Sequence, residues 1–142
     1  MLLLPNVSDE QQVIVDAISN GNNVVCNAEA GAGKSTTAYH AAIAWLANNP
    51  QGLVLQVCYN VVLKSEACAR VEKLHLPIEC YTIHGLASTL SGKNISDTLT
   101  LKEFISNPSI TIPIKYGFII IDEAQDLFKD MIDVMCIVHE HL

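Results

Sequence analysis

The sequence predicts an α/β domain built on a mostly parallel sheet, and two stretches carry that prediction. The first is Asn27-Ala28-Glu29-Ala30-Gly31-Ala32-Gly33-Lys34-Ser35-Thr36, which follows the apolar run Val24-Val25-Cys26 and opens a helical segment. A strand, a glycine-rich turn and a helix in that order form a phosphate-binding loop. Small residues let successive backbone N–H groups turn toward an oxyanion, Lys34 adds charge for the β- and γ-phosphates, and Ser35 offers a hydroxyl to Mg²⁺. The helix that starts here points its positive dipole end at the phosphates. Ala28 stands where the pattern G-x-x-x-x-G-K-[ST] has its first glycine.

The second stretch is Gly117-Phe118-Ile119-Ile120-Ile121-Asp122-Glu123-Ala124-Gln125-Asp126. A continuous β-branched run suits a buried strand of a parallel sheet, and such strands present functional residues at their carboxyl ends. Asp122 is expected to hold Mg²⁺ through its water shell. Glu123 is expected to orient and deprotonate the water that attacks a γ-phosphate. A helix N-terminus matching its dipole accounts for one acid. It does not account for Ile-Ile-Ile followed by Asp-Glu in a chain that already carries Gly-Lys-Ser.

The chain has 142 residues, the size of one domain. Half of them are apolar and 16% are charged, enough for a substantial core. The net charge of −7 has the wrong sign for a protein whose affinity rests on broad neutralisation of nucleic-acid phosphates. Any such contact is expected to be local or supplied by other parts. The five cysteines are odd in number and form no C-x-x-C pair. Cys26, Cys58 and Cys80 sit in apolar, strand-like runs, where cysteine behaves as a small hydrophobe. This points to a reducing, intracellular setting, cytoplasmic or nuclear, and away from zinc or a disulfide frame. Met1-Leu2-Leu3-Leu4-Pro5 lacks a basic lead and is too short for a signal peptide. No apolar run approaches a membrane span, so no membrane partner is expected.

Taken in order, Ser8-Asp9-Glu10-Gln11 starts a helix with apolar positions at Val13, Ile14, Ala17 and Ile18, ended by Gly21. Ser8 and Gln11 have the spacing of a capping box. Asn23 to Asn27 reads as the strand before the loop. Lys34 to Ala47 reads as its helix, with Ala38, Ala41, Ala42, Trp45 and Leu46 available to pack on the sheet and Asn48-Asn49-Pro50 as the stop. Tyr39, His40 and Trp45 are read as packing or surface residues. Gly52 to Tyr59 is a buried strand, followed by Asn60 and a helix from about Val61 to Leu74. Lys64 and Arg70 on that helix share it with Glu66 and Glu72, which also fits a plain solvated face. Pro77 to Thr82 is a short strand and Ile83 to Leu90 a helix. Leu99 to Ile105 is a short helix closed by Asn107-Pro108. After the acid pair, Leu127, Phe128, Met131, Val134, Met135 and Val138 mark an amphipathic helix. The histidines, His139-Glu140-His141 included, show no metal-ligand spacing.

Several of these segments resemble the superfamily 1 helicases of the UvrD/Rep type. Ala28 to Ser35 resembles their motif I, where alanine is usual in the first position. Asp122-Glu123-Ala124-Gln125-Asp126 resembles their motif II, the DEAQ form of the Walker B strand end. Tyr59-Asn60 resembles motif Ia, and Thr82-Ile83-His84-Gly85-Leu86-Ala87 resembles motif Ib, closest in look to the F-box DNA helicase branch and its viral relatives. The resemblance implies a RecA-like P-loop NTPase fold, a three-layer sandwich with a mostly parallel sheet, incomplete at its C-terminus. It implies ATP and Mg²⁺ as ligands. Gln11, rather than its neighbour Gln12, would read the adenine edge in addition to or instead of capping. Ala30, Gly31, Ala32, Gly33, Lys34, Ser35 and Thr36 would line the phosphates, and Ser35 and Asp122 would hold the metal. Lys34, Asp122 and Glu123 would be catalytic, with Gln125 coupling the nucleotide to the DNA side. Asn60, Lys64, Thr82 and His84 would meet single-stranded DNA, although Val61 stands where relatives often have a lysine, and a lone histidine such as His84 is more often satisfied within a fold.

The resemblance covers nearly all of the chain, residues 1–142, but only the first part of a helicase. The next strand, which carries motif III, lies in that fold between the phosphate-loop strand and the Walker B strand. Its absence leaves a gap with unpaired backbone groups on both sides, and direct pairing across the gap would draw Asp122 and Glu123 toward Lys34. A second RecA-like domain would supply arginines for the γ-phosphate, and loss of one such arginine lowers turnover by about 10³–10⁵-fold. The expectation is an ATP-binding part of a DNA helicase, with a repair or replication role, weak or inactive alone. It would be a split-gene piece, a truncated copy or an excised domain, working with a missing helicase half or a partner subunit. The alternative is a non-catalytic nucleotide-binding or interaction module that docks on a separate helicase subunit.

Overall fold

One strand has two neighbours, and the fold is arranged around it. In the computed structural model, which describes residues 4–29 and 31–142, strand β1 (Val54–Cys58) pairs in parallel with β2 (Ile78–Thr82) on one side and β3 (Phe118–Ile121) on the other. Val54 lies opposite both Ile78 and Phe118, and Val57 opposite both Tyr81 and Ile121. All five residues of β1 are buried, as a strand covered on both faces must be.

Alternation along β1 divides the core in two. Leu55 and Val57 face helices α4 (Ile83–Ser91), α5 (Thr98–Ser106) and α6 (Lys129–Glu140), packing with Leu86, Leu90, Phe104, Val134 and Val138. Val54 and Cys58 face α2 (Lys34–Asn48) and α3 (Val61–Leu74), packing with Tyr39, Ala42, Ala67, Val71 and Ile120. The result is a small parallel sheet with helices on both faces. Helix α1 (Asp9–Ser19) lies against α2 rather than against the sheet. Among the described residues no helix is long and apolar enough to cross a membrane.

Local chemistry accounts for most boundaries. Ser8, Asn60, Thr82 and Asp97 each cap a helix by accepting a backbone N–H, which satisfies a donor the helix itself cannot. Gln56, a polar residue in the middle of the buried strand, accepts the Tyr39 hydroxyl at 2.9 Å. Trp45 lies across the amino end of β3, with its ring 5.9 Å from that of Phe118. It is seated against two glycines. A Cβ at Gly52 would stand 2.4 Å from the indole, and one at Gly117 would stand 2.6 Å from it.

Three expectations are corrected. Asn23 to Asn27 is not a strand: the segment has no ladder partner, and Val25 is 96% exposed. An apolar run becomes a strand only if a neighbour accepts its hydrogen bonds, and here β3 is the edge on that side of the sheet. Cys26, in the same segment, is exposed rather than packed. Phe128, placed by its spacing on the apolar face of the last helix, is instead its N-cap residue, 64% exposed and beside the Tyr59 ring.

Burial pushes the Cys58 thiol up to about 11 and the Cys80 thiol up to about 12. A thiol reagent at pH 8 should therefore modify Cys26, Cys68 and Cys136 rapidly and leave Cys58 and Cys80 unreacted until the protein unfolds. Mass spectrometry of the labelled protein checks this. Gly117→Ala should lower stability by about 1–3 kcal/mol, because the added Cβ would stand well inside van der Waals distance of the indole and force it to shift. A thermal melt of this variant should be partly rescued by adding Trp45→Leu, which removes the clashing ring.

Candidate functional site

The carboxyl ends of parallel strands gather at one edge of a sheet, and the acid pair lies there. The ladder between β1 and β3 runs one residue beyond the strand, since the Asp122 N–H donates to the Val57 carbonyl at 3.3 Å. Asp122 shares the parity of Phe118 and Ile120, which pack on the α2–α3 side, so its carboxylate points that way. Its Oδ2 accepts the Ser35 hydroxyl at 3.4 Å, and its Oδ1 accepts the Glu123 N–H at 3.0 Å.

Strand parity alone would send Glu123 to the opposite face. The backbone prevents this by turning left-handed at Glu123, with φ 52° and ψ 42°. Together with His75 it is one of two non-glycine residues with positive φ among those described. The turn starts a short 3₁₀ segment, Ala124–Asp126, and brings Glu123 and Gln125 back beside Asp122. The Gln125 amide donates to the Glu123 carboxylate. A left-handed glutamate costs on the order of 1 kcal/mol or more, and strain of this kind gathers at functional sites.

The phosphate loop closes the other side. Gly31 and Gly33 have φ of 80° and 81°. At Gly33 a side chain is excluded twice, by φ and by the Gln11 amide nitrogen, which would lie 2.7 Å from its Cβ. Gln11 fills the capping role expected of it and makes a further contact with the loop. Its side chain accepts the Ser8 N–H at 2.8 Å in a capping box, and its amide donates to the carbonyls of Ala32 and Gly33 at 3.4 Å each. It is thereby tied to the loop from the outside. Lys34 Nζ donates to the Ala28 carbonyl at 2.9 Å, and Thr37 anchors the first turn of α2 on the Gly33 carbonyl at 2.9 Å. Ala30 lies outside the described residues.

Gly31, Gly33, Lys34, Ser35 and Thr36 from the loop meet Asp122, Glu123 and Gln125 around a cleft of about 550 Å³. One more residue lines it, Arg70 of α3, for which the sequence left open a DNA-side contact or a solvated face shared with Glu66 and Glu72. A signal was present in the sequence: Arg70 is the only arginine of an acidic chain.

The remaining candidates lie outside this cleft. Asn60 stands two residues past β1 and Thr82 is the last residue of β2, and both side chains are used as caps, accepting from Leu63 and Gly85 at 2.9 and 3.2 Å. Lys64 lies over the Tyr81 ring, 5.9 Å from its centre. His84 is half-buried near Asp97. The Thr100 N–H and hydroxyl hold the Asp97 carboxyl below its ordinary value, with a smaller contribution from His84.

A protein-family model described as an AAA domain matches residues 11–140 of the chain. No curated protein and no solved structure matches it significantly.

Asparagine tolerates the left-handed region better than glutamate. Glu123→Asn should therefore raise the melting temperature, by about 1 kcal/mol of stability or less, while deleting the carboxylate. A melt that falls instead would mean that the Gln125–Glu123 contact outweighs the backbone strain.

Proposed function

Because the chain belongs to this family of AAA domains, a helicase-associated group of P-loop proteins found in UvrD/Rep-like proteins, we propose that it is the ATP-binding part of a UvrD/Rep-type DNA helicase. The single observation that carries this reading is the contact between Ser35 and Asp122, 3.4 Å apart across 87 residues of sequence. It joins the phosphate loop to the acidic strand end.

The donor set suits Mg²⁺. A hydroxyl and a carboxylate are hard oxygen ligands, and Mg²⁺ in nucleotide sites takes one or two protein oxygens, the substrate phosphates and water. When bound with ATP, the ion would neutralise charge on the β- and γ-phosphate oxygens. The chain's own groups would divide the remaining work. Backbone N–H groups around Gly31 and Gly33 and the N-terminus of α2 receive phosphate oxygens. Lys34 exchanges the Ala28 carbonyl for phosphate. Glu123, steadied by Gln125, orients a water and accepts its proton.

The same sheet edge offers a place for DNA. Asn60 and Thr82 stand at the N-termini of α3 and α4, where backbone donors favour phosphate, and register places Cys58 beside Thr82. Single-stranded DNA is proposed to cross these junctions, with Lys64 and His84 beside it.

A second reading is favoured by one feature. Val24 and Val25 are exposed, and among the described residues no strand pairs with the outer side of β3, which suits an interaction module docked on a separate helicase subunit. Turnover that rises when such a subunit is added supports an enzyme in two parts. A stable complex with unchanged turnover supports the module.

Glu123→Gln should retain Mg-ATP binding and lower hydrolysis by about 10²–10⁴-fold, whereas Lys34→Ala should lose binding as well. Calorimetric titration with Mg-ATPγS beside a phosphate-release assay separates the two. Full hydrolysis by Glu123→Gln would remove Glu123 from the role.

A further inference from the structure

We propose that Arg70 binds the terminal phosphate of the nucleotide, so that this chain distinguishes a nucleoside triphosphate from a diphosphate with an arginine of its own. The inference rests on the nucleotide reading above and adds a residue to it.

Five observations lead to Arg70. It lines the cleft that also holds Lys34, Ser35, Asp122 and Glu123. Its place on α3 is fixed by its neighbours, because Ala67 and Val71 are buried in the core that seats the helix on the sheet. The side chain itself is exposed. Among the described residues the one ion pair is Lys129–Asp133, so Arg70 is not engaged by Glu66, although the two stand four residues apart on one helix. Its charge is also felt on α2. Burial raises the Tyr39 phenol, and Arg70 acts on the same group in the opposite sense.

Charge and shape favour a phosphate over the alternatives. The cleft sets Asp122 and Glu123 against Lys34 and Arg70. Before any Mg²⁺ is counted, Arg70 brings the side-chain charges of the cleft into balance, two cations against two acids. A guanidinium offers a planar fork that matches two phosphate oxygens, which an ammonium does not. Lys34 belongs to the loop and serves any polyphosphate. Arg70 comes from α3, an element separate from the loop, and enters the same cleft as the acid pair, so it can add a second cationic contact to a phosphate already held by Lys34.

The test compares Mg-ATPγS with Mg-ADP by calorimetry on the 142-residue chain, its Arg70→Gln and Arg70→Lys variants, and Lys34→Ala. Arg70→Gln should weaken ATPγS by roughly 10- to 100-fold, the worth of a charged hydrogen-bonding group, and leave ADP within about twofold. Arg70→Lys should fall between. Circular dichroism should show both variants folded, since the side chain supports no core contact. Unchanged ATPγS binding by Arg70→Gln, or equal weakening of both nucleotides, would overturn the role of Arg70 and leave the nucleotide reading standing. Indifference of Lys34→Ala, or no binding by the unmodified chain, would overturn both.

Discussion

The parallel ladder between β1 and β3 is the constraint on which the rest depends. It buries β1 completely, separates the two halves of the core, and sets the height of Asp122 through the bond from its N–H to Val57. A slip of one residue would exchange the faces of every side chain on β3. Ile120 would leave the α2–α3 core and Asp122 would turn away from Ser35. Packing of plain aliphatic residues thus positions the acid, and the phosphate loop has only to meet it.

The two sides of the cleft are held by unequal means. Asp122 stands on a buried ladder. The loop is fastened through polar contacts, from Gln11 to two carbonyls, from Lys34 to Ala28 and from Ser35 to Asp122. Hydrogen bonds of this sort contribute about 0.5–1.5 kcal/mol each when partly solvated. A ligand that bridges both sides would therefore act as the main tie between them, adding stability in proportion to its binding.

Much of this was legible in the sequence because its signals are local. The span of α3 follows from the Asn60 cap and the apolar positions Ala67 and Val71, and the strand ending in Asp122-Glu123 follows from an unbroken β-branched run. The segment around Val24 shows where local reading stops. An apolar run reports that burial would be favourable, but the partner that permits it is chosen by topology. The same holds in reverse for Arg70. Its helix position is readable, yet its neighbours across the cleft come from α2 and from the far end of β3. The left-handed turn at Glu123 had no sequence signal, since a glutamate is not a residue that turn chemistry selects.

Trp45 is the sole tryptophan of the chain, and its position has a spectroscopic consequence. It rides on α2, the helix that issues from the phosphate loop, and rests on Phe118 and Gly117 at the start of β3, the strand that ends in the acid pair. Each half of the cleft is thus rigidly connected to one side of a single fluorophore. Relative motion of the loop helix and the acidic strand would change the polarity and contacts of the indole, and its emission would record closure of the cleft without any added label.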